Sequence, residues 1–238
     1  MIKDKKYENA QEAFEDLFHK IKKYGTLKEY EDDSKSTKAL YNVSFIIRHP
    51  RDRVIKTSWR KWSKRYAERE WKWYLSKDRS VAELKKYAPI WDKMHGGDNI
   101  VNSNYGWQWS RNDQIQHVIE LLRKDEFTRQ AWLTIYDGKE HDTYKYDTPC
   151  TLSVGFTIVR VGQLKEKALN MSVLMRSNDL VYGFCNDQYC FSKLQEYVAH
   201  ELGIRMGEYY HFAADMHIYK DKLNLNENEQ NNNNEDDI

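Results

Sequence analysis

Apolar residues recur along this chain with two different periods, one typical of helices and one typical of strands, and the two kinds of segment are interspersed. Helical patterns predict helices at 10–24, 59–75, 80–87, 113–123 and 191–202. Runs rich in β-branched and apolar residues predict strands at 39–47, 131–136, 151–161 and 168–175. The sequence shows no internal repeat. We therefore expect a single α+β domain with several strands.

Length and C-terminal composition set the predicted domain boundaries. A chain of 238 residues suits one large domain. Its last stretch, 224–238, is nearly all Asn, Glu, Gln and Asp. Such a stretch cannot bury enough apolar surface to offset the entropy that it loses on ordering. We predict a folded domain over 1–223 and a disordered tail over 224–238.

Charge and composition exclude several classes of protein. The 38 Lys and Arg residues balance 37 Asp and Glu residues, so electrostatics favours neither a nucleic acid nor a membrane as partner. No apolar run approaches membrane-spanning length, and no apolar stretch follows the basic residues at the start, which indicates a cytoplasmic protein. The three cysteines, an odd number, predict neither a disulfide framework nor a zinc site.

Two polar segments next to predicted strands contain groups that can carry chemistry. Cys150 stands where a polar turn meets the strand 151–161. Its thiol is either an exposed nucleophile or, as is more common for a free cysteine, a buried side chain without a chemical role. Arg176, Ser177 and Asp179 follow the strand 168–175. Arg and Ser can both donate to phosphate oxygens, although a polar turn with an ion pair explains the same residues.

The segment 183–188 is unusually polar for one that leads into a buried helix. The simplest interpretation is that Asn186 or Asp187 caps a helix that begins near residue 189.

Polar and apolar residues alternate in 215–219, which places Asp215, His217 and Tyr219 on one face of a strand. A His and a Tyr side by side can both bind a sugar hydroxyl. A half-exposed edge strand is the alternative interpretation.

The order and spacing of these segments resemble the thymidylate synthase family, which includes pyrimidine hydroxymethylases encoded by some phages. The resemblance extends over 70–219, about two thirds of the chain. The matching pieces are Glu70-Trp-Lys-Trp-Tyr-Leu75, Ile90-Trp-Asp92, Asn104-Tyr-Gly-Trp-Gln-Trp109, Thr128-Arg129, Pro149-Cys150, Arg176-Ser-Asn-Asp179, Gly183 to Asp187 and His217-Ile-Tyr219.

This resemblance implies a fold and an activity. The fold is a thymidylate synthase-like α+β domain, with a mixed sheet and flanking helices, that forms a homodimer through the face of its sheet. In the implied reaction, Cys150 attacks C6 of a pyrimidine deoxynucleotide monophosphate, and C5 then takes a one-carbon unit from 5,10-methylenetetrahydrofolate. If the chain is phage-encoded, the enzyme acts in the host cytoplasm.

The resemblance also implies how the nucleotide is held. Arg176 and Ser177 would bind the 5′-phosphate, together with Arg129 from the partner subunit. His217 and Tyr219 would bind the 3′-hydroxyl of the deoxyribose.

Four further residues take their roles from the same resemblance. Glu70 would organise water and proton transfers, and Tyr105 would support proton abstraction at C5. Asp179 and Trp91, with Glu70, would contact the folate.

One position separates the substrates of this family. The residue four after Gly183 is Asn in thymidylate synthases, where its amide accepts from N3–H and donates to O4 of uracil. Here that residue is Asp187. Cytosine presents the reverse pattern, and a carboxyl can accept from the N4 amine and, when protonated, donate to N3. The segment 175–187 thus resembles that of phage deoxycytidylate 5-hydroxymethyltransferases, in which water adds to the methylene intermediate and gives 5-hydroxymethyl-dCMP.

Three departures from the family pattern leave alternatives open. Gln130 stands where the family has a second Arg, so Arg51 or Arg53 would have to restore that charge. The segment after Tyr219 is short and polar, whereas a longer region closes the site in thymidylate synthases.

The third departure concerns register. A shift by one residue would place Asn186 opposite the base and make dUMP the substrate of a methylase or hydroxymethylase. A catalytically idle member of the fold, which binds nucleotides or RNA, is the alternative from another class.

Overall fold

One mixed sheet of eight strands organises the residues that the structure, a computed structural model, describes: 5–141 and 143–227. The strands are Lys5–Tyr7 (β1), Thr26–Lys28 (β2), Thr37–Ile47 (β3), Trp132–Thr134 (β4), Thr151–Val161 (β5), Glu166–Met175 (β6), Asn178–Asp179 (β7) and Arg205–Tyr219 (β8). The helices are Ala10–Tyr24 (α1), Lys64–Ser76 (α2), Trp91–Met94 (α3), Tyr105–Ser110 (α4), Gln114–Lys124 (α5), Gly138–His141 (α6) and Cys185–Glu201 (α7).

The sheet is mixed, because some neighbouring strands are parallel and others are antiparallel. Its path runs β1-β3-β8-β6-β5-β4, with β2 also paired to β3 and β7 also paired to β8. The pairs β1–β3, β6–β8 and β7–β8 are parallel, and the other pairs are antiparallel. This arrangement confirms the predicted α+β fold with a mixed sheet and flanking helices.

Helix α1 shows how local sequence sets an element. Asn9 caps it by accepting from the Glu12 backbone N–H at 3.0 Å, and its buried face is the predicted apolar stripe. Phe18 of this stripe packs on Trp59, with ring centroids 4.4 Å apart. The predicted bounds, 10–24, are confirmed to the residue.

The next two helices predicted from the sequence are shorter in the structure. Helix α2 begins at Lys64 rather than at residue 59, because Lys61 adopts a left-handed backbone conformation and Ser63 caps the helix through the Tyr66 N–H. In the predicted helix 80–87 only Leu84–Lys86 forms a single 3₁₀ turn.

The long helix α7 starts earlier than predicted, at Cys185, after a π-helical turn at Leu180–Phe184. Asp179 caps that turn by accepting from the Val181 and Tyr182 N–H groups at 2.9 and 3.3 Å. The prediction that Asn186 or Asp187 caps the helix is therefore wrong.

The first residues of the predicted tail contact the domain. Lys22 of α1 donates to Asn226 at 3.1 Å and pairs with Glu227 at 2.5 Å, and Leu225 packs against the core. These contacts join 224–227 to the domain. The remainder of the predicted tail, 228–238, lies outside the described residues.

A glycine lets two helices approach closely beside the candidate site. A Cβ on Gly106 of α4 would lie 1.7 Å from the backbone carbonyl oxygen of Tyr74 in α2. This close approach brings the Tyr105 ring to 5.7 Å from the Tyr74 ring. No side chain fits at position 106 unless the two helices separate.

We predict that Gly106→Ala destabilises the fold by about 2 kcal/mol or more, since the methyl group would have to displace backbone rather than a flexible side chain. The measurement is the urea midpoint of unfolding. Gly138→Ala is the matched control, because a Cβ there meets nothing within 4 Å. Equal midpoints for the two variants would contradict this account of the helix contact.

Candidate active site

Cys150 lies at the entrance of β5, half-buried, and its backbone carbonyl accepts from the Arg176 N–H at 2.8 Å. The Arg176 guanidinium is 3.8 Å from the Cys150 sulfur. Burial raises the pKa of Cys150 to about 11, while the neighbouring Arg176 charge acts in the opposite direction. Cys150 is thus a partly exposed residue whose sulfur lies beside a fixed cation.

Arg176 is also anchored to the backbone around the thiol. Its guanidinium donates to the carbonyl oxygens of Pro149 and Thr148, at 3.1 and 2.9 Å. Its side chain is exposed, and Ser177 next to it is half-buried. The structure therefore places the Arg176 guanidinium beside Cys150, with Ser177 next in the chain. We call the group of residues around Cys150 the cleft; its members are Glu70, Tyr105, Cys150, Arg176, Ser177, Asp179, Asp187, His217 and Tyr219.

Tyr105 approaches the same point from α4. Its hydroxyl accepts from the backbone N–H of Thr151 at 3.3 Å, one residue after the thiol. Burial raises its pKa well above the usual value for tyrosine, so the group stays a neutral phenol.

Glu70 of α2 is a buried acid of the cleft, with 5% of its surface exposed. The Tyr74 hydroxyl donates to Oε1 at 2.9 Å, whereas Oε2 has no partner with hydrogen-bond geometry among residues 5–141 and 143–227. Burial raises the pKa of Glu70 to about 7, against the opposing effect of the Tyr74 and Tyr66 hydroxyls. Trp91 connects to this group because its Nε1 donates to the Tyr66 hydroxyl at 2.8 Å.

Asp179, His217 and Tyr219 lie along the paired strands β7 and β8. Asp179 is opposite His217 in the register, and burial raises the pKa of Asp179 despite the charge of His217 and its own backbone hydrogen bonds. His217 is held through Nδ1 by Asp215 Oδ1 at 2.9 Å. The His217 and Tyr219 rings are 5.4 Å apart, as the predicted shared face requires.

Asp187 lies in the first turn of α7 and points into the cleft. Asn178 Nδ2 donates to its Oδ2 at 2.8 Å. Burial, together with repulsion from Glu70 and Asp179, raises the pKa of Asp187 well above the usual value for an aspartate. Asn186 points elsewhere: it accepts from Trp62 Nε1 at 2.8 Å and donates to the Tyr182 carbonyl at 3.2 Å.

Arg129 is the predicted site residue that the chain does not bring to this cleft. It is exposed in the loop between α5 and β4. Within the described parts of the chain, no hydrogen bond or ion pair joins it to the cleft residues. Arg51 and Arg53, the expected substitutes for a second phosphate-binding Arg, are both paired with Glu196, at 3.1 and 2.5 Å.

The sequence analysis missed three residues that hold the site together. Tyr74 orients Glu70 from four residues away, a helical spacing that could have indicated the pair. No spacing in the sequence indicated the other two residues. Arg60 donates through Nε to the Val181 carbonyl, which is distant in sequence. Asn178 donates to Asp187, and a turn whose geometry was not predicted separates the two.

The described residues contain neither a cluster of metal-binding side chains nor a membrane-spanning helix. No group of three or more His, Cys, Asp or Glu side chains there is placed to hold a metal ion. No helix in the same parts of the chain has the length and apolar character needed to cross a membrane.

The arrangement as a whole combines groups for one kind of chemistry. The Cys150 thiol lies beside the Arg176 guanidinium. The same cleft contains three acids whose pKa values are raised by burial: Glu70, Asp179 and Asp187. Such a cleft can add sulfur to an electron-poor ring and move protons to and from that ring.

Comparison with known proteins agrees with this geometry. The family model described as thymidylate synthase matches residues 12–236. The deoxycytidylate 5-hydroxymethyltransferase of Enterobacteria phage T4 is 33% identical over 136 residues, covering 54% of this chain and 52% of that protein. The deoxyuridylate hydroxymethyltransferase of Bacillus phage SP01 is 31% identical over 167 residues, covering 63% of this chain and 42% of that protein.

A thymidylate synthase is also among the similar proteins. That of Bacillus mojavensis is 26% identical over 168 residues, covering 66% of this chain and 57% of that enzyme. The chain spans about half the length of the curated relatives it matches. The family match extends over nearly the whole chain, so this protein belongs to the thymidylate synthase family.

Proposed function

We propose that this protein transfers a one-carbon unit from 5,10-methylenetetrahydrofolate to C5 of dCMP and that water completes the product, 5-hydroxymethyl-dCMP. The observation that carries the choice of dCMP is the placement of Asp187 in the cleft, with a pKa raised by burial and by neighbouring acids. The relative from phage T4, named a deoxycytidylate 5-hydroxymethyltransferase, supports the same choice.

The nucleotide would be held at both ends. Arg176 and Ser177, at the edge of the cleft, are suited to the 5′-phosphate because a guanidinium and a hydroxyl donate to anionic oxygens. His217 and Tyr219 are suited to the 3′-hydroxyl. Asp215 holds Nδ1 of His217 and leaves Nε2 as the nitrogen that can meet the sugar.

Cys150 is the proposed nucleophile. Its thiolate adds to C6, and the electron pair of the C5–C6 bond makes C5 nucleophilic. C5 takes the one-carbon unit and loses its proton, for which Tyr105 and Glu70 are the nearby proton carriers. The bond between this carbon and the folate nitrogen breaks with its electron pair on nitrogen, which releases tetrahydrofolate unoxidised and leaves an exocyclic methylene group. Water adds to that methylene group, and the sulfur then leaves C6 with the bonding pair.

Asp187 would recognise the base as a neutral acid. Its proton donates to N3, and its other oxygen accepts from the N4 amine. Uracil offers a donor at N3 and an acceptor at O4, so each contact would face a group of the wrong kind. Unpaired polar groups in a buried site discriminate strongly between otherwise similar substrates.

The residues expected near the folate fit a ring with several hydrogen-bonding groups. Glu70 has a buried carboxylate oxygen, Oε2, that lacks a partner in the described chain, and Asp179 keeps an acid at the same cleft. Trp91 adds an aromatic wall connected to Glu70 through Tyr66. 5,10-Methylenetetrahydrofolate, when bound, supplies the one-carbon unit.

A homodimer would complete the phosphate site with Arg129 of a second copy. The face of the sheet turned away from α1 and α7 supports this proposal because it carries apolar side chains. Leu174 and Phe212, opposite each other in the register, are half-buried there, and Trp132 is 43% exposed.

Hydroxymethylation or methylation of dUMP is the second candidate function. Its support is the similarity to deoxyuridylate hydroxymethyltransferases of Pseudomonas phage M6 and Bacillus phage SP01, at 30% and 31% identity. A catalytically idle nucleotide-binding protein is the third candidate. Such a protein would not need a thiol at Cys150 beside Arg176, which argues against it. Release of tritium from C5-labelled dCMP and dUMP separates the three.

We predict that Cys150→Ser abolishes tritium release from C5-labelled dCMP, because an alcohol is a far poorer nucleophile than a thiolate. Binding of dCMP, measured by calorimetry, should remain nearly intact. Cys185→Ala is the matched control and should retain turnover, since Cys185 is a buried thiol on α7. Substantial turnover by Cys150→Ser would remove the assignment.

We predict that Asp187→Asn shifts the preference in kcat/KM from dCMP toward dUMP by roughly ten- to a hundredfold. Wild-type turnover of dCMP should also decline as the pH rises through the raised pKa of Asp187, because the acid form of Asp187 is present below that pKa and lost above it. Asn186→Ala should leave the preference unchanged. A wild type that prefers dUMP, or a preference controlled by Asn186, would favour the second candidate function.

We predict that Arg129→Ala and Cys150→Ser, each inactive alone, restore activity when the two are mixed under conditions of subunit exchange. In a mixed dimer one site keeps both Cys150 and the partner's Arg129. The measurement is dCMP turnover against the fraction of each variant. No recovery, or a monomer at micromolar concentration in sedimentation, would contradict the shared site.

A further inference from the structure

In the described chain, one protein group donates to the Asp187 carboxyl with hydrogen-bond geometry. That group is the buried side-chain amide of Asn178. Asn178 lies in β7, opposite Met216 of β8, and 2% of its surface is exposed. Its Nδ2 donates to Asp187 Oδ2 at 2.8 Å. Both atoms lie 3.2 Å from the position that a Cβ on Gly183 would occupy, so that glycine leaves room for the pair.

This hydrogen bond makes the two carboxyl oxygens different. An amide N–H can donate only to a lone pair, so it stabilises Oδ2 as an acceptor and disfavours a proton on the Oδ2 side facing Asn178. Because a carbonyl oxygen accepts a hydrogen bond better than a hydroxyl oxygen does, the hydrogen bond from Asn178 favours the neutral acid that carries its proton on Oδ1. The carboxyl consequently presents a donor at Oδ1 and an acceptor at the remaining lone pair of Oδ2.

The oxygen that carries the proton decides which base the carboxyl matches. A carboxylic acid whose proton exchanges freely between its two oxygens can match either cytosine or uracil. With the proton on one oxygen the group matches N3 and the N4 amine of cytosine. With the proton on the other oxygen the same group accepts from N3–H and donates to O4 of uracil. An acid at position 187 is therefore insufficient by itself to exclude uracil.

We propose that Asn178 is a specificity-determining positioning residue, which selects cytosine over uracil by fixing the acid proton of Asp187 on Oδ1. This inference rests on the proposed function for the direction of the preference. Asn178 controls the base preference through Asp187 and does not touch the reacting atoms.

The surroundings of Asp187 favour the neutral form of its carboxyl, which this role requires. Burial has the largest effect on its pKa, and the negative groups Glu70 and Asp179 add to it, while the Asn178 hydrogen bond acts in the opposite direction. The other titratable groups that interact with Asp187 are Cys150, Cys185, Cys190, Tyr74, Tyr105 and Tyr209.

The test is the ratio of kcat/KM for dCMP to kcat/KM for dUMP in wild type and Asn178→Ala. We expect the ratio to move toward one by roughly ten- to a hundredfold, chiefly through a gain with dUMP relative to dCMP. Asn186→Ala is the matched control, an amide nearby that bonds Trp62 and Tyr182 instead, and it should keep the wild-type ratio.

A second comparison isolates the route through Asp187. In an Asp187→Ala background, Asn178→Ala should change the ratio no further, since the group that it orients is gone. An equal loss with both nucleotides in the single variant, or the same change of ratio in both backgrounds, would overturn the proposal. If Asn178→Ala does not fold, as judged by its urea midpoint, Asn178→Ser replaces it with the same expectations.

The wild-type ratio separates this inference from the proposed function. A wild type that prefers dUMP contradicts the proposed function. The effect of Asn178→Ala on the ratio still decides whether Asn178 fixes the proton of Asp187, because loss of that control moves the ratio toward one from either side.

Discussion

Three acids, Glu70, Asp179 and Asp187, lie close enough together to interact, and much of the local structure serves to hold them. Burial raises the pKa of each, and Glu70 and Asp179 raise that of Asp187 further by repulsion. Three such groups cannot all be ionised at neutral pH without a large cost in free energy. Repulsion from Glu70 and Asp179, together with burial, therefore favours the neutral form of Asp187.

The fold supplies a separate support for each acid. The Tyr74 hydroxyl holds Glu70 on α2, two backbone N–H groups hold Asp179 at the end of β7, and Asn178 holds Asp187 on α7. Two glycines permit the close approaches on which these supports depend: Gly106 lets α4 meet α2, and Gly183 makes room beside the Asn178–Asp187 hydrogen bond. The thiol of Cys150 enters from β5 with Arg176 beside it.

Elements governed by local sequence were predictable. The cap and apolar stripe of α1 are complete within its own residues, and β5, Thr151–Val161, has the predicted bounds. The start of α7 was not predictable, because its polar approach suggested a cap at Asn186 or Asp187, whereas Asp179 caps a π-helical turn further upstream. Most cleft residues were found through family resemblance; the function of Asn178 depends on a tertiary contact that no spacing indicates.

Recognition of cytosine depends on the protonation state of Asp187, which carbon NMR measures directly. Protein labelled with ¹³C at the aspartate carboxyl carbons would be compared with Asp187→Asn, which identifies the resonance of Asp187 by its absence. We expect this resonance to keep the chemical shift of a protonated acid through the pH range in which an ordinary aspartate ionises, because burial and the neighbouring acids raise the pKa of Asp187. A resonance that already has the shift of an ionised carboxylate in that range would contradict a neutral Asp187.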